Sequence, residues 1–231
     1  MSATVLRVAE TFGPTFQGEG PASGQRALFV RLSGCPLACQ WCDTPYTWDR
    51  SRFDLAAQSR QVEVAELLGW VRGHACELVV LTGGEPLAQQ SALIELARSL
   101  TGDGRRVEVE TSGIIAPGGD LLAAVARFVV SPKLANSGLP ERRRIRPDAL
   151  RAFAASGRAV FKFVACDPRD LDEVGQLVED YSLAPVWVMP EGTSEEQIGG
   201  GLRALAGPVL ARGWHLSSRL HIVLWGDERG R

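Results

Sequence analysis

Apolar and polar positions alternate along the chain in two rhythms. Short apolar runs rich in β-branched residues predict strands at 26–32 (RALFVRL), 77–81 (ELVVL), 106–110 (RVEVE), 128–130, 159–164 (AVFKFV) and 186–189 (VWVM). Between them, apolar residues spaced three and four apart predict helices at 62–71, 87–100, 121–126, 148–155, 171–181 and 195–211. Pro147 is placed to open the helix at 148, and Gly199-Gly200-Gly201 reads as an interruption of the last helix. Residues 214–216 and 221–224 are candidates for terminal strands. No internal repeat, low-complexity tract or Pro/Ser-rich linker divides the pattern, which predicts a single domain over residues 1–231.

Strand and helix in regular alternation predict an α/β fold with a mostly parallel sheet. About six such units fall short of the eight in a full barrel of ~250 residues. The expected architecture is therefore an incomplete, modified TIM-like (β/α)6 barrel. In such sheets the chemistry gathers at the C-terminal strand ends. Four polar, glycine-bearing or proline-bearing segments follow predicted strands directly: the Cys35–Cys42 loop, Thr82–Pro86, Glu110–Gly113 and Ser131-Pro132-Lys133.

Composition narrows the picture. The 231 residues are 45% hydrophobic and 23% charged, as in an ordinary globular protein, with a formal charge of −2. So balanced a charge gives no general pull toward nucleic acid or an anionic membrane. The N-terminus lacks a basic stretch followed by an apolar run, and no segment reaches the ~20 apolar residues of a membrane helix. A cytoplasmic location follows, with no membrane and no nucleic-acid partner. The run Glu141–Arg146 (ERRRIR) reads as a solvated loop rather than a nucleic-acid patch. His74 reads as a helix-end surface residue and His215 as partly buried beside a terminal strand.

Five cysteines in a chain of this size do not make a disulfide framework. Cys35, Cys39 and Cys42 fall within eight residues, spaced C-x3-C-x2-C and bounded by Gly34 and Asp43. A loop this tight can wrap three thiolates around one compact metal centre. A cubane cluster usually takes four cysteines. Three leave one iron open to a substrate or cofactor, by the logic that leaves a catalytic zinc one ligand short. A structural zinc site with a fourth ligand from elsewhere is the alternative, although no His lies near the loop. Cys76 and Cys166 each sit beside an apolar strand and read as buried structural residues. Trp41, inside the loop, suits either an apolar shell around a metal or simple packing.

Here a resemblance becomes specific. C-x3-C-x2-C after a first strand, followed after a second strand by Thr82-Gly83-Gly84-Glu85-Pro86, resembles the radical S-adenosylmethionine superfamily. The resemblance implies that Cys35, Cys39 and Cys42 hold a [4Fe-4S] cluster. It implies that S-adenosylmethionine chelates the fourth iron and is cleaved by one electron to a 5′-deoxyadenosyl radical. Glycines at 83 and 84 would let the backbone approach that cofactor closely.

Within the superfamily, Phe12–Gly20 (FGPTFQGEG), Arg31, Cys42-Asp43-Thr44, Trp48-Asp49 and the tail Leu220–Gly226 resemble the 7-carboxy-7-deazaguanine synthase family nearly end to end. That resemblance implies homodimeric lyases with a shortened barrel. They convert 6-carboxy-5,6,7,8-tetrahydropterin to 7-carboxy-7-deazaguanine with loss of ammonia, on the route to queuosine. It implies Mg2+ as a further cofactor and an electron donor such as flavodoxin or ferredoxin. Residue by residue, Phe16, Gln17, Gly18, Glu19, Arg31 and Thr82 would face the pterin, and His221 and Trp225 would close its site. Thr44, with Asp43 as the competing oxygen donor, would reach magnesium. Trp41, Cys42, Asp43, Gly84, Glu110, Thr111, Ser112, Ser131, Pro132 and Lys133 would line the S-adenosylmethionine pocket. The side-chain chemistry is compatible. Gln and Glu match the amide-like edge of a pterin, Arg matches a carboxylate, and a hydroxyl oxygen suits magnesium. Two rivals stay open: another radical enzyme, such as an activase that installs a glycyl radical, and a non-catalytic zinc module.

Overall fold

The computed structural model describes residues 3–231. One nine-stranded sheet carries the fold, in the order β3-β1-β2-β4-β5-β6-β7-β8-β9. Its parallel part comprises β2 (Arg26–Leu32), β4 (Leu78–Gly83), β5 (Arg106–Thr111), β6 (Arg127–Val130), β7 (Ala159–Ala165), β8 (Val186–Pro190) and the short β9 (His215–Leu216). The crossovers carry α1 (Val64–Arg72), α2 (Gln90–Gly102), α3 (Gly119–Ala124), α4 (Glu141–Arg144) with α5 (Pro147–Ala155), α6 (Asp170–Tyr181) and α7 (Glu195–Ala211). The two outermost strands, β3 and β9, do not pair with each other, so the barrel stays open.

Two strands escape the sequence pattern. β1 (Val5–Phe16) pairs antiparallel with β2, and β3 (Arg60–Glu63) pairs antiparallel with β1. Gly13-Pro14 inside β1 reads as a break. The structure absorbs the pair in a register shift between Phe12 and Thr15, where Gly13 has φ +112° and a Cβ would press on the Ala27 carbonyl.

Three further expectations are corrected. Residues 221–224 are not a strand but belong to the last helix, α8 (Leu220–Trp225), which Gly226 ends at φ +68°. There Ile222 is buried while Val223 and Leu224 are exposed, so their apolar run covers no second sheet face. Helix α7 runs unbroken through Gly199–Gly201, because a capping box of Ser194 and Gln197 secures its start, and Gly201 sits where a Cβ would strike the Pro190 ring. Cys166 is exposed rather than buried, whereas Cys76 is buried.

The sheet has two unlike faces. Outward residues such as Leu28, Val30, Val79, Leu81, Val107, Val109 and Phe161 join the helices in one large apolar core. The inner face has a small apolar cluster of Ala27, Phe29, Leu78 and Val80 with Ala22. Period-2 alternation continues that inner row upward to Arg31 on β2, Thr82 on β4 and Glu110 on β5. All three line a cavity at the C-terminal ends of the strands.

Candidate active site

The cavity has a volume of about 540 Å3, within the usual range for a small-molecule site. Every predicted site residue except Pro132 and Trp225 lines it. Trp225 instead stacks on Phe16, ring centroids 6.2 Å apart.

One wall is the cysteine loop. Cys35 and Cys42 are half-buried and Cys39 is buried. Burial pushes the Cys35 thiol up to about 12 and raises that of Cys39 as well. Metal binding here must therefore displace protons. Nitrogen donors already point at the sulfurs: Leu37 N–H donates to Cys35 Sγ at 3.4 Å and the Trp48 indole to Cys42 Sγ at 3.2 Å. Among the described residues, no three Cys, His, Asp or Glu side chains converge on a point where a single ion would sit. A cubane makes no such demand, since its cysteines bind different irons. The donor set of three cavity-facing thiols thus fits the cluster.

The glycines of Thr82–Pro86 serve this loop in an unexpected way. A Cβ at Gly83 would collide with the backbone of Leu32, and one at Gly84 with the Gly34 carbonyl and Cys35 Cβ. Their small size therefore seats the second strand end against the root of the cysteine loop. The next residue, Glu85, is fully buried and was not singled out from sequence. It accepts from Thr111 Oγ1 at 2.7 Å, from Ser112 N–H at 2.9 Å and from the Ser112 hydroxyl. One carboxylate thereby fixes the shape of the 110–113 segment. Lys133 Nζ lies 3.0 Å from Ser131 Oγ and 5.5 Å over the Trp41 ring, whose N–H donates to the Asn136 carbonyl at 3.0 Å.

The other wall centres on Glu19. Its carboxylate is paired with Lys162 from β7 and accepts from Arg219 Nε at 3.0 Å; His221 Nε2 lies 4.0 Å away. Burial alone would raise the Glu19 pKa, but the charges of Lys162 and Arg219 outweigh it and hold the carboxyl far below its ordinary value. Lys162 is raised in turn, with burial opposing and Glu19 prevailing, while burial lowers His221. Arg219 also pairs with Asp43 and donates to the Gly192 carbonyl at 2.6 Å. Glu110 accepts from Gln17 Nε2 at 3.1 Å and from Thr82 Oγ1 at 2.7 Å, which joins three predicted residues in one network. Gly18 is required here, because a Cβ would fall on the His221 imidazole, and its carbonyl accepts from Leu220 N–H at 2.8 Å. Arg31 is held by Glu10 at 2.7 Å; Glu10 also accepts from Tyr46 at 2.7 Å and Arg229 at 2.8 Å.

Lys162, Arg219, Glu10, Tyr46 and Arg229 line the site or anchor it, and the sequence reading missed them. Lys162 had a signal: a lone cation at an inward position of a wholly buried strand. Arg219 had none, because its partners lie at Glu19 and Asp43, far off in the chain.

Comparison with known proteins follows the same lines. A 4Fe-4S single cluster domain family matches residues 16–125. The 7-carboxy-7-deazaguanine synthase of Pyrobaculum aerophilum is 41% identical, with both chains covered in full. That of Hyperthermus butylicus is 37% identical over 96% of this chain and 93% of its own. The crystal structure of QueE from Escherichia coli superposes with a TM-score of 0.72 at 28% identity, covering 92% of this chain and 93% of that one.

Proposed function

The chain belongs to the 7-carboxy-7-deazaguanine synthase family, and from that premise we propose that it converts 6-carboxy-5,6,7,8-tetrahydropterin to 7-carboxy-7-deazaguanine with loss of ammonia. The observation that carries the reading is one cavity with three thiols on one wall and a Gln17–Glu110–Thr82 network beside an ionised Glu19 on the other. Cys35, Cys39 and Cys42 would hold the [4Fe-4S] cluster. When bound, the cluster and S-adenosylmethionine supply a hydrogen-abstracting radical through one-electron cleavage of the sulfonium.

The residues of this chain then divide the remaining work. Glu19, ionised and buried, is an acceptor for N–H groups of the pterin ring, and Gln17 offers both a donor and an acceptor. Glu110 bonds to Gln17 and Thr82, so we place it with the substrate rather than the S-adenosylmethionine group. Arg31 faces the cavity already engaged by Glu10, so a substrate carboxylate reaching it shares the guanidinium. Phe16, backed by Trp225, and His221, seated on Gly18, form the rim toward the C-terminal segment. Trp41, Asp43, Gly84, Thr111, Ser112, Ser131, Pro132 and Lys133 are assigned to S-adenosylmethionine. Thr44 is our choice over Asp43 for magnesium, because Asp43 is already paired with Arg219.

We extend the proposal to a single domain, a homodimer, a cytoplasmic location and an electron donor of the flavodoxin or ferredoxin type. No described helix is long and apolar enough to cross a membrane. The test is anaerobic: reconstituted protein, the carboxytetrahydropterin, S-adenosylmethionine, magnesium and dithionite, followed by mass spectrometry. The expected product is the deazapurine. Deoxyadenosine formed without it would move the chain to another radical reaction.

A further inference from the structure

Residues 227–231 follow α8 and run along the mouth of the cavity. Asp227, Glu228, Arg229, Gly230 and Arg231 all line it. Their other side meets solvent: every one but Gly230 is exposed, and Gly230 is half-buried beside Phe12 of β1. The segment thus places no side chain in the apolar core. Glu228 pairs with Arg231 inside it at 3.1 Å.

Its hold on the rest of the molecule is concentrated in one residue. Among the described residues, Arg229 alone of these side chains bonds outside the segment. Arg229 Nε donates to Glu10 Oε2 at 2.8 Å and its Nη1 to Gln58 Oε1 at 2.8 Å. The guanidinium also lies 3.9 Å from the centre of the Tyr46 ring. One exposed ion pair and one cation–π contact are broken at modest cost, so the segment can open without disturbing the fold.

Glu10 ties this contact to the contents of the cavity. Its Oε2 holds Arg229, while its Oε1 accepts from Arg31 Nε and the Tyr46 hydroxyl. Burial would raise the Glu10 pKa, but its bonds and charges outweigh that and keep the carboxyl below its ordinary value. Two guanidinium groups therefore share one carboxylate. An acid group that draws on Arg31 from inside leaves more of the Glu10 charge for Arg229.

We propose that residues 227–231 are a strap that tightens over an occupied cavity, with Arg229 as its latch and Glu10 as the link to the ligand. The inference rests on the substrate reading above, because the acid group at Arg31 supplies the closing signal. A tightened strap keeps a small ligand in place and water out while the reaction runs.

The test uses the reconstituted enzyme with S-adenosylmethionine and the fluorescent probe pterin-6-carboxylate. Hydrogen exchange of residues 226–231, read by mass spectrometry, should slow when the probe is added. In Arg229→Ala it should run about tenfold faster, with β7 unchanged. Stopped-flow dissociation of the probe should accelerate about tenfold in the same variant, and by more than association does. Arg229→Lys should restore only part of the retention, because an ammonium pairs with Glu10 but lacks the fork that also meets Gln58. Unchanged exchange or unchanged dissociation in Arg229→Ala overturns the proposal. Equal acceleration of both rates overturns the coupling through Glu10. A probe that never binds, with a tail that Arg229→Ala still frees, would strike the substrate reading; faster release of S-adenosylmethionine in that variant would then support the latch.

Discussion

The two walls of the cavity are built on opposite plans. The thiol wall is local: three thiols come from eight consecutive residues, seated by two glycines of the next strand end. The carboxylate wall is assembled across the whole chain, with Glu19 at one end, Lys162 in β7 and Arg219 before the last helix. A local wall can fail without the fold noticing. A long-range wall fails together with the packing of the elements that meet there, because removing one charge leaves another buried and unpaired.

The largest expected effect separates the walls completely. Cys39→Ala should abolish cluster absorbance and turnover, while the thermal transition of the unreconstituted protein moves by little. Retained turnover there would remove the cluster assignment.

Lys162→Met should do the reverse. It leaves Glu19 buried with one cation fewer, at a cost of about 3 kcal/mol, or roughly 2–4 °C of Tm per kcal/mol at this chain length. The pH dependence follows from the depressed Glu19 pKa. The stability it contributes is present in full above the ordinary value of 4.5 and is lost as pH falls below that toward the native pKa. The gap between wild type and variant should therefore be wide at pH 7 and narrow below pH 4.5 in urea melts. A gap that widens on acidification would reverse the assignment of charge to Glu19. Glu19→Gln in the same background should recover part of the loss.

Gly18→Ala probes the seam where the N-terminal segment meets α8. A methyl group there must displace His221, and overpacking of this kind costs about 1–3 kcal/mol. The cluster should load normally while kcat/KM for the pterin falls by about tenfold or more. If the pterin kinetics are unchanged, His221 has no part in the site.

This difference in plan also explains what could be read from the sequence. The parallel strands and their helices follow from apolar rhythm, because each buries one face against the core. The cysteine loop follows from spacing alone. β1 was hidden by Gly13-Pro14, which marks a break unless the partner strand is known. The tail at 221–224 carries strand-forming residues, yet folds as a helix because β9 already supplies the last strand and only Ile222 has a core to face. The role of Gln17–Gly20 depends on Lys162 and Arg219 arriving from elsewhere. Local pattern does not specify which distant charge will meet which.

Glu108 offers the finest test of why Glu19 is ionised. It is another buried carboxylate with two cations near it, two residues below Glu110 on β5. Arg127 approaches it at 3.3 Å and Arg106 at 3.6 Å, but both arginines are more than a third exposed. Its Oε2 has no hydrogen-bond partner. Burial therefore prevails over the arginines and raises its pKa, opposite to Glu19. A raised carboxyl pKa means that the ionised form burdens the fold at neutral pH, and that the burden fades as pH falls through the native value. Glu108→Gln should accordingly be neutral or stabilising at pH 7, by about 1 kcal/mol at most. The gain should vanish in urea melts near pH 4.5. A variant less stable than wild type at pH 7 would mean that Arg127 overcomes burial, and that proximity of a cation, rather than its own burial and direct bonding, distinguishes the two carboxylates.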